Sequence, residues 1–382
     1  MGRPIFIVGP SRSGTSLMRS ILNRHRQVWI ADETHYFDDL RVRLHRSARS
    51  ALDSADERRG ENYFLAVAKR GYALLGDPSS SGIQVKELRR TARELGVGAD
   101  AYFEAFCRIQ AARRGKIRWG EKTPRHVFRI DEIFEAFHDA QVICMVRDPR
   151  GVVASYRDSL RTPIGLSRDP RQRAAIVADQ HRASRSYHVA LISLLWNAAT
   201  HAAQVALASF GPERIRLQEY EEVVANPEVA MATACSWLGL DFQPTMLDVE
   251  VERSSYSVAE GIRGLWLEPL SRWHSTLTPR EIAVIQSCCG RKMQEFGYAR
   301  ERVMVGRLEV AQVWSSVPIA LARAVWANRA RMGGHPHEYL WKRLSLWLGR
   351  GEMQVHKVPA ATASSANERP DSAAAKRDTR NT

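Results

Sequence analysis

The sequence predicts an α/β fold, a parallel sheet covered by helices on both faces, and three observations carry that prediction. Short apolar runs alternate with helical patterns through the first two-thirds of the chain. Three of the runs, at residues 5–8, 142–146 and 215–218, are each followed by a turn or loop and then by a helical pattern. That unit, repeated, makes neighbouring strands parallel. Finally, 44% of the 382 residues are hydrophobic, enough to close a large core. In such folds ligands bind beyond the carboxyl ends of the strands, so chemistry is expected in the segments that follow these runs.

The first run leads into a Gly-rich turn and a helix pattern over 15–23. The second leads into Arg147-Asp148-Pro149 and a helix over 150–160, which Pro149 or Arg150 begins. The third follows a long apolar stretch, 186–212, and precedes a helix pattern over 227–238. The apolar stretch has the length of a membrane span, but His188, Asn197, His201 and Gln204 interrupt it, so a buried domain helix is expected. Helical patterns over 61–75 and 100–114, with a charge-rich segment over 49–70, predict cover helices or a substrate-facing insertion. From Val303 onward the character changes. Trp314, Trp326, Trp341 and Trp347, four of the ten tryptophans, stand there among Arg323, Arg329, Arg331, Lys342, Arg343 and Arg350. Residues 338–348 read as a short amphipathic helix. After Val358 no aromatic residue occurs and disorder is expected. The predicted organisation is therefore a main domain over 1–302, a basic Trp-rich helical extension over 303–358 and a disordered tail over 359–382.

The chain holds 56 cationic and 42 acidic side chains, a net +14, and only eight of the cations are lysine. Arginine's planar fork suits phosphate or sulfate, which leaves nucleic acid, an anionic membrane or a phosphorylated small molecule as partners. Cys107, Cys144, Cys235, Cys288 and Cys289 form no C-x-x-C pair, so neither a disulfide framework nor a zinc site is expected. The N-terminus enters a strand pattern at Ile5, leaving no room for a cleavable signal, and a reducing, cytoplasmic setting is the expectation.

Residues 9–16, Gly9-Pro10-Ser11-Arg12-Ser13-Gly14-Thr15-Ser16, follow a strand and open a helix, the context in which backbone N–H groups cradle phosphate. The glycines match the triphosphate loop G-x-x-x-x-G-K-[ST], but Thr15 replaces the lysine that reaches the β and γ phosphates. A P-loop-like sheet that binds a nucleotide with one phosphate at that end fits better than an ATP-driven engine. Arg147 at the end of the second strand and Ser155 in the helix after it could meet a second phosphate. On the residues alone, an Arg147–Asp148 pair that caps the helix competes with that reading. Asp148 also stands near where triphosphate hydrolases hold magnesium, though Arg147 intervenes.

Five ordered motifs give these features a shared meaning. Residues 7–19 with the loop, Asp32-Glu33-Thr34, Gly120-Glu121-Lys122-Thr123-Pro124-Arg125, Val146-Arg147-Asp148-Pro149-Arg150 with Ser155, and Tyr220-Glu221-Glu222-Val223 together resemble the sulfotransferases that use 3'-phosphoadenosine 5'-phosphosulfate (PAPS). The pattern is similar to the branch that includes tyrosylprotein sulfotransferases and many bacterial enzymes, and it covers about residues 4–300. The resemblance implies that Arg12, with the backbone of Ser13, Gly14, Thr15 and Ser16, holds the 5' end of the donor. It implies that Arg147 and Ser155 hold the 3'-phosphate, and that Tyr220 and Ser254 contact the nucleotide. It assigns Glu33, 21 positions after Arg12, as general base, with His35 as the local competitor, and Lys122 as the group that stabilises the leaving oxygen. Arg272 stands where the branch has lysine, and its role is left open. Trp196 is expected in the core. No metal is expected.

The acceptor implied is a hydroxyl. Arginine-rich segments over 38–114 and 162–185 fit an acidic or lipid-linked saccharide, and the signal-free setting argues against secretory-pathway tyrosines. The rival enzyme reading is a P-loop kinase or nucleotide hydrolase. The rival from another class is a basic module that binds nucleic acid or a membrane, and the donor reading of Arg12 and Arg147 removes the need for nucleic acid. Residues 303–358 are expected either to touch a membrane peripherally, at its inner face, or to pack on the domain or on a second subunit as a homodimer.

Overall fold

Among the residues that the computed structural model describes (2–47, 50–68, 82–161, 170–249, 270–329 and 341), five strands form one wholly parallel sheet. They are β1 (Ile5–Val8), β2 (Val28–Ala31), β3 (Arg118–Lys122), β4 (Gln141–Val146) and β5 (Ile215–Glu219), in spatial order β2-β3-β1-β4-β5. Strands β1, β4 and β5 are those expected from the apolar runs. Strand β3 has no such run: Arg118-Trp119-Gly120-Glu121-Lys122 is buried at every position although three of its five side chains are charged. Arg118 is accommodated because its guanidinium donates to the carbonyls of Arg3 and Leu238 and to Gln141 Oε1, each at 2.6 Å. Gly120 is required because a Cβ there would stand 2.3 Å from the Ile5 carbonyl oxygen and 2.4 Å from Ile30 Cδ1.

Helix α1 (Thr15–Arg24) links β1 to β2. Between β2 and β3 the chain forms α2 (Tyr36–Asp39), α3 (Ser54–Ala68), α4 (Val85–Leu95) and α5 (Ala99–Ala112). A 3-10 turn, Pro124–Arg129, and α6 (Ile130–Ala136) lead to β4. Helices α7 (Pro149–Arg161), α8 (Pro170–Ser186) and α9 (Val189–Phe210) lead to β5. After β5 come α10 (Tyr220–Ala225), α11 (Pro227–Leu238), α12 (Trp273–Thr276), α13 (Pro279–Glu295), α14 (Arg307–Ser315) and α15 (Val317–Asn328). Helix α3 starts earlier than its apolar pattern because the Asp53 carboxylate accepts from the Ala55 and Asp56 amides at 2.8 Å, an N-cap upstream of the first periodic residue.

The period of two in β1 divides the interior. Phe6 and Val8 join Trp119, Val142 and Cys144 under α5 and under the small-residue side of α9, Ala198, Ala199, Ala202, Ala203 and Ala206. Ile5 and Ile7 join Ile30, Ile143 and Met145 beneath Met18, Ile21 and Leu22 of α1 and Met231 and Leu238 of α11. Both faces are thus covered, as strands without polar alternation require. A third cluster ties Val152 and Val153 of α7 to Trp196 of α9 and Ile285 of α13. Helix α9 is long and apolar enough to cross a membrane, but it contributes to the first and third of these cores and is the buried helix expected over 186–212. Helices α14 and α15 lean Val310, Val313, Trp314 and Val317 on the third core and bury no residue fully. The helix expected over 338–348, apart from Trp341, and the tail over 359–382 lie outside the described residues, as does Ser254.

Candidate functional site

The sheet brings the predicted residues to one edge. Ile7 pairs with Lys122 and Val146 pairs with Glu219, so the loop after β1, Lys122 at the end of β3, Arg147 after β4 and Tyr220 after β5 all lie at carboxyl ends of parallel strands. The Asp32-Glu33-Thr34-His35 segment leaves the end of β2 beside them, since Ala31 pairs with Glu121.

The loop over 9–14 is built for close approach. Gly9 has φ 137°, and a Cβ there would stand 2.3 Å from the Met145 carbonyl oxygen. Gly14 has φ 85°, and its Cβ would stand 2.4 Å from Tyr220 Cδ2. Arg12, which is not a glycine, is also left-handed at φ 72°. Such a conformation costs an L-residue about 1–2 kcal/mol and persists where its surroundings fix it. Here they do: Arg12 Nε donates to Ser155 Oγ at 3.0 Å, and the Arg12 carbonyl accepts from Arg147 Nη1 at 3.1 Å. Helix α1 opens directly on the loop with no acidic residue in its first turn and no side-chain cap, so its amides and dipole face the loop. The buried Ser13 hydroxyl oxygen has no hydrogen-bond partner among the described residues.

Arg147 is released from the helix-capping role that the sequence leaves open. The pair that caps α7 is Asp148 with Arg150, a bidentate contact reaching 2.6 Å, with the Arg150 amide also donating to Asp148 at 2.8 Å. Arg147 instead lies over the Tyr220 ring at 4.3 Å from its centroid, and its own carbonyl accepts from Trp196 Nε1 at 2.8 Å. Trp196 is therefore a core residue, as expected, and it orients the backbone of Arg147 from below. Arg12, Ser155, Arg147, Tyr220 and Gly14 form one continuous set of contacts.

At the other side of the site the buried Lys122 ammonium donates to Glu33 Oε1 at 2.8 Å and lies 2.9 Å from Asp32 Oδ1. His35 Nε2 is 3.3 Å from Glu33 Oε2. For Glu33 burial favours the neutral acid, but Lys122 and His35 outweigh it and hold the carboxyl well below the usual range. Asp32 is lowered in the same way, with Lys122 and Arg19 overcoming burial. His35 occupies the left-handed region at φ 55°, the second non-glycine residue to do so among the described residues.

Thr34, between Glu33 and His35, is held at every polar atom. Its amide and hydroxyl both donate to Glu121 Oε1, at 2.9 and 2.8 Å, and its carbonyl accepts from Tyr63 of α3 at 2.5 Å. Its hydroxyl oxygen also accepts from the Tyr36 amide at 3.2 Å. Glu121 additionally accepts from the Thr123 hydroxyl and lies 3.2 Å from His126 Nδ1. Burial raises its carboxyl, but His126 and these hydroxyl and amide donors lower it further, so the net position is below the ordinary value of 4.5. Glu121→Gln is expected to cost about 2–4 kcal/mol of folding stability, measured by denaturant unfolding, because it removes a buried charge with its donors in place. Since the folded carboxyl is depressed, its contribution is complete above pH 4.5 and is lost as pH falls below that value, so the gap between variant and wild type should close on acidification.

Arg272, whose role the sequence leaves open, donates to Asp158 Oδ2 of α7 at 3.0 Å. The clamp of Glu121, Tyr63 and Thr123 around Thr34 was missed from sequence. Its signal was the buried-strand placement of Glu121, which a polar pentapeptide hides.

A model described as the sulfotransferase family matches residues 4–244. A protein-tyrosine sulfotransferase of Drosophila melanogaster is 25% identical over 285 residues, which are 70% of this chain and 46% of that protein. The chain thus spans about half the length of the curated relative it matches. Among solved structures, the sulfotransferase domain of the Synechococcus PCC 7002 olefin synthase is 18% identical, covering 78% of this chain and 97% of that one with a TM-score of 0.48. The sulfotransferase domain from the curacin biosynthetic pathway is 19% identical, covering 79% and 99% with a TM-score of 0.49. With the family model matched along more than half of its length, this chain belongs to the sulfotransferase family.

Proposed function

We propose that the chain transfers a sulfuryl group from PAPS to a hydroxyl of an acceptor, with a saccharide or lipid-linked glycan as the acceptor class. The observation that carries the donor assignment is the linkage of two anion-binding positions: the lysine-free loop over 9–14 and the Arg147–Ser155 position, joined through the Arg12 side chain and carbonyl. A nucleotide with a short 5' anion and a separate 3'-phosphate needs two such positions. The buried Ser13 hydroxyl, unpartnered among the described residues, and the uncapped start of α1 fit the first. Bound there, the donor supplies an activated sulfuryl group and a bisphosphorylated adenosine as leaving group.

Lys122 Nζ, a compact cation with three donors, is the group to neutralise charge on the departing oxygen. Glu33 Oε1, now bonded to Lys122, is the atom to take the acceptor's proton, and it is ionised throughout the neutral range. In this reading His35, whose Nε2 lies 3.3 Å from the second Glu33 oxygen, positions the carboxylate while Glu33 serves as the base. Tyr220 supports Arg147 from beneath. No metal takes part in this scheme, so transfer should survive chelation. The kinase or hydrolase alternative is disfavoured because Asp148, the acid nearest a magnesium-binding position, is engaged by Arg150.

The Drosophila relative is named for tyrosine, so a tyrosine phenol is the competing acceptor. Within 38–114, Arg41, Arg59, Arg89, Arg93, Arg108 and Arg113 pair with acids of the same segment, so the acidic-saccharide reading rests on the sequence's excess of cations rather than on these side chains. Titration calorimetry separates donor readings directly: 3',5'-bisphosphoadenosine should bind about 10- to 100-fold more tightly than ATP with magnesium, the value of one or two charge-assisted contacts. Equal or reversed affinities would remove the PAPS assignment.

A further inference from the structure

Away from the site, the described surface concentrates exposed apolar side chains on α14, α15 and the turn before them. Met304 is fully exposed, Leu308 is 80% exposed, and Ile319 and Trp326 are each 68% exposed. On α15, Ile319, Ala322, Arg323 and Trp326 stand at i, i+3, i+4 and i+7 and are all exposed, so they form one stripe along the outer side of the helix. The inner side is occupied, since Val313, Trp314 and Val317 rest on the third core.

The hairpin is fixed in that orientation. Trp314 Nε1 donates to Ser287 Oγ of α13 at 3.2 Å, Ser316 Oγ lies 3.0 Å from His188 Nε2, and Asn328 Nδ2 donates to Ser186 Oγ at 2.8 Å. The outer stripe is therefore not a core face awaiting closure of these two helices. Its charge is one-sided as well. Residues 302–329 hold four arginines (Arg302, Arg307, Arg323 and Arg329), all exposed, against one acid, Glu309. The Glu309 carboxylate turns back onto the Gly306 amide at 3.2 Å, and α15 has no acidic residue. The Arg329 guanidinium lies 4.3 Å from the centroid of the Trp326 ring, which couples cation and aromatic on one patch.

A surface that presents Ile319 and Trp326 on α15, Leu308 on α14 and Met304 just before it, between exposed arginines and with no acid on α15, complements an anionic lipid headgroup layer. Arginine stems lie along the apolar boundary while their heads reach phosphate, and tryptophan is at home at that depth. A nucleic acid would use the cations but leave Leu308 and Ile319 without a partner. We propose that the outer face of α14 and α15 docks the protein on an anionic bilayer, placing a transferase beside lipid-linked acceptors. The docking stands or falls independently of the donor assignment.

The test uses the full chain and vesicles of phosphatidylcholine, with and without phosphatidylglycerol, in a sedimentation assay at low and high salt. The wild type should bind the phosphatidylglycerol vesicles, release in high salt and bind phosphatidylcholine weakly. The double variant Ile319→Ser/Trp326→Ser and the double variant Arg323→Glu/Arg329→Glu should each lower partitioning by about tenfold or more. Both should keep the wild-type melting temperature and affinity for 3',5'-bisphosphoadenosine, which separates docking from folding and from the donor site. Absence of vesicle binding, or undiminished binding by both variants, overturns the proposal. So does conversion of a dimer to a monomer by the serine variant with vesicle binding unchanged, which would make the stripe a subunit contact.

Discussion

Glu33→Gln is expected to lower the rate of sulfuryl transfer by roughly 10²- to 10⁴-fold, the range a positioned general base contributes, while leaving nucleotide affinity within a few fold. Glutamine can still accept from Lys122, so the local contacts survive and the loss reports the missing proton acceptor. Lys122→Met should produce a comparable fall and an additional change in pH profile. In the wild type, burial opposes ionisation of Glu33 but Lys122 and His35 overcome it, so the acid limb of the rate lies below the ordinary carboxyl value of 4.5. Without Lys122 the burial remains and its main counterweight is gone, so the Glu33 carboxyl rises and the acid limb must move toward neutral pH. The measurement is transfer of radiolabelled sulfate from PAPS to acceptor, or to water, across the acid range. Full turnover by Glu33→Gln, or an unmoved acid limb in Lys122→Met, would each remove the role assigned here.

Gly14→Ala should have the second largest effect, on donor affinity rather than on chemistry. An alanine at φ 85° carries about 1–2 kcal/mol of backbone strain. Its Cβ would also stand 2.4 Å from Tyr220 Cδ2, so the ring that supports Arg147 must shift. Combined strain and displacement of about 1–3 kcal/mol predicts a loss in affinity for 3',5'-bisphosphoadenosine of about 10- to 100-fold. In a double-mutant cycle, Tyr220→Ala should itself weaken binding, and Gly14→Ala in that background should cost distinctly less than in the wild type, because the ring is no longer there to be displaced. Equal costs in both backgrounds would show that the contact plays no part.

Why some of this was readable beforehand and some was not follows from which residues carry apolar pattern. Strands β1 and β4 are unbroken or nearly unbroken apolar runs followed by turns that carry glycine, proline or arginine, and β5 shows as Ile215 and Leu217 in alternation between two helical patterns, so all three stand out. Strand β3 does not, because its burial depends on three carbonyl or amide acceptors for Arg118 and on a glycine that lets β1 and β2 come close. Strand β2 is as short as β1, but the Asp32-Glu33-Thr34 segment after it lacks the glycine-rich turn that marks the end of β1. Within the site, the donors next to glycines were legible because loop chemistry is local in sequence. The contact of Arg147 with Tyr220 and the clamp of Tyr63, Thr34 and Glu121 are not, since each joins segments 29 to 87 residues apart. The preference of Asp148 for Arg150 is local, but Arg147 stands just as near in the sequence, so spacing does not choose between the two. Such choices are made by packing.

The strand order also constrains how the protein comes into being on the ribosome. The first two strands to emerge do not touch: β1 pairs with β3 and β4, and β2 pairs with β3 alone. Until residue 118 is free of the exit tunnel, the nascent chain holds two apolar strands, each with open edges and no partner. Only when β4 arrives can the loop that begins at Gly9 acquire its far wall, and only with residue 155 does Arg12 find its hydroxyl. Parallel pairing over such separations is slow and leaves edges open to wrong partners. The order β2-β3-β1-β4-β5 therefore gives the growing chain a long interval with unpaired strand edges, and an amino-terminal fragment that ends before residue 118 has neither of its strands paired.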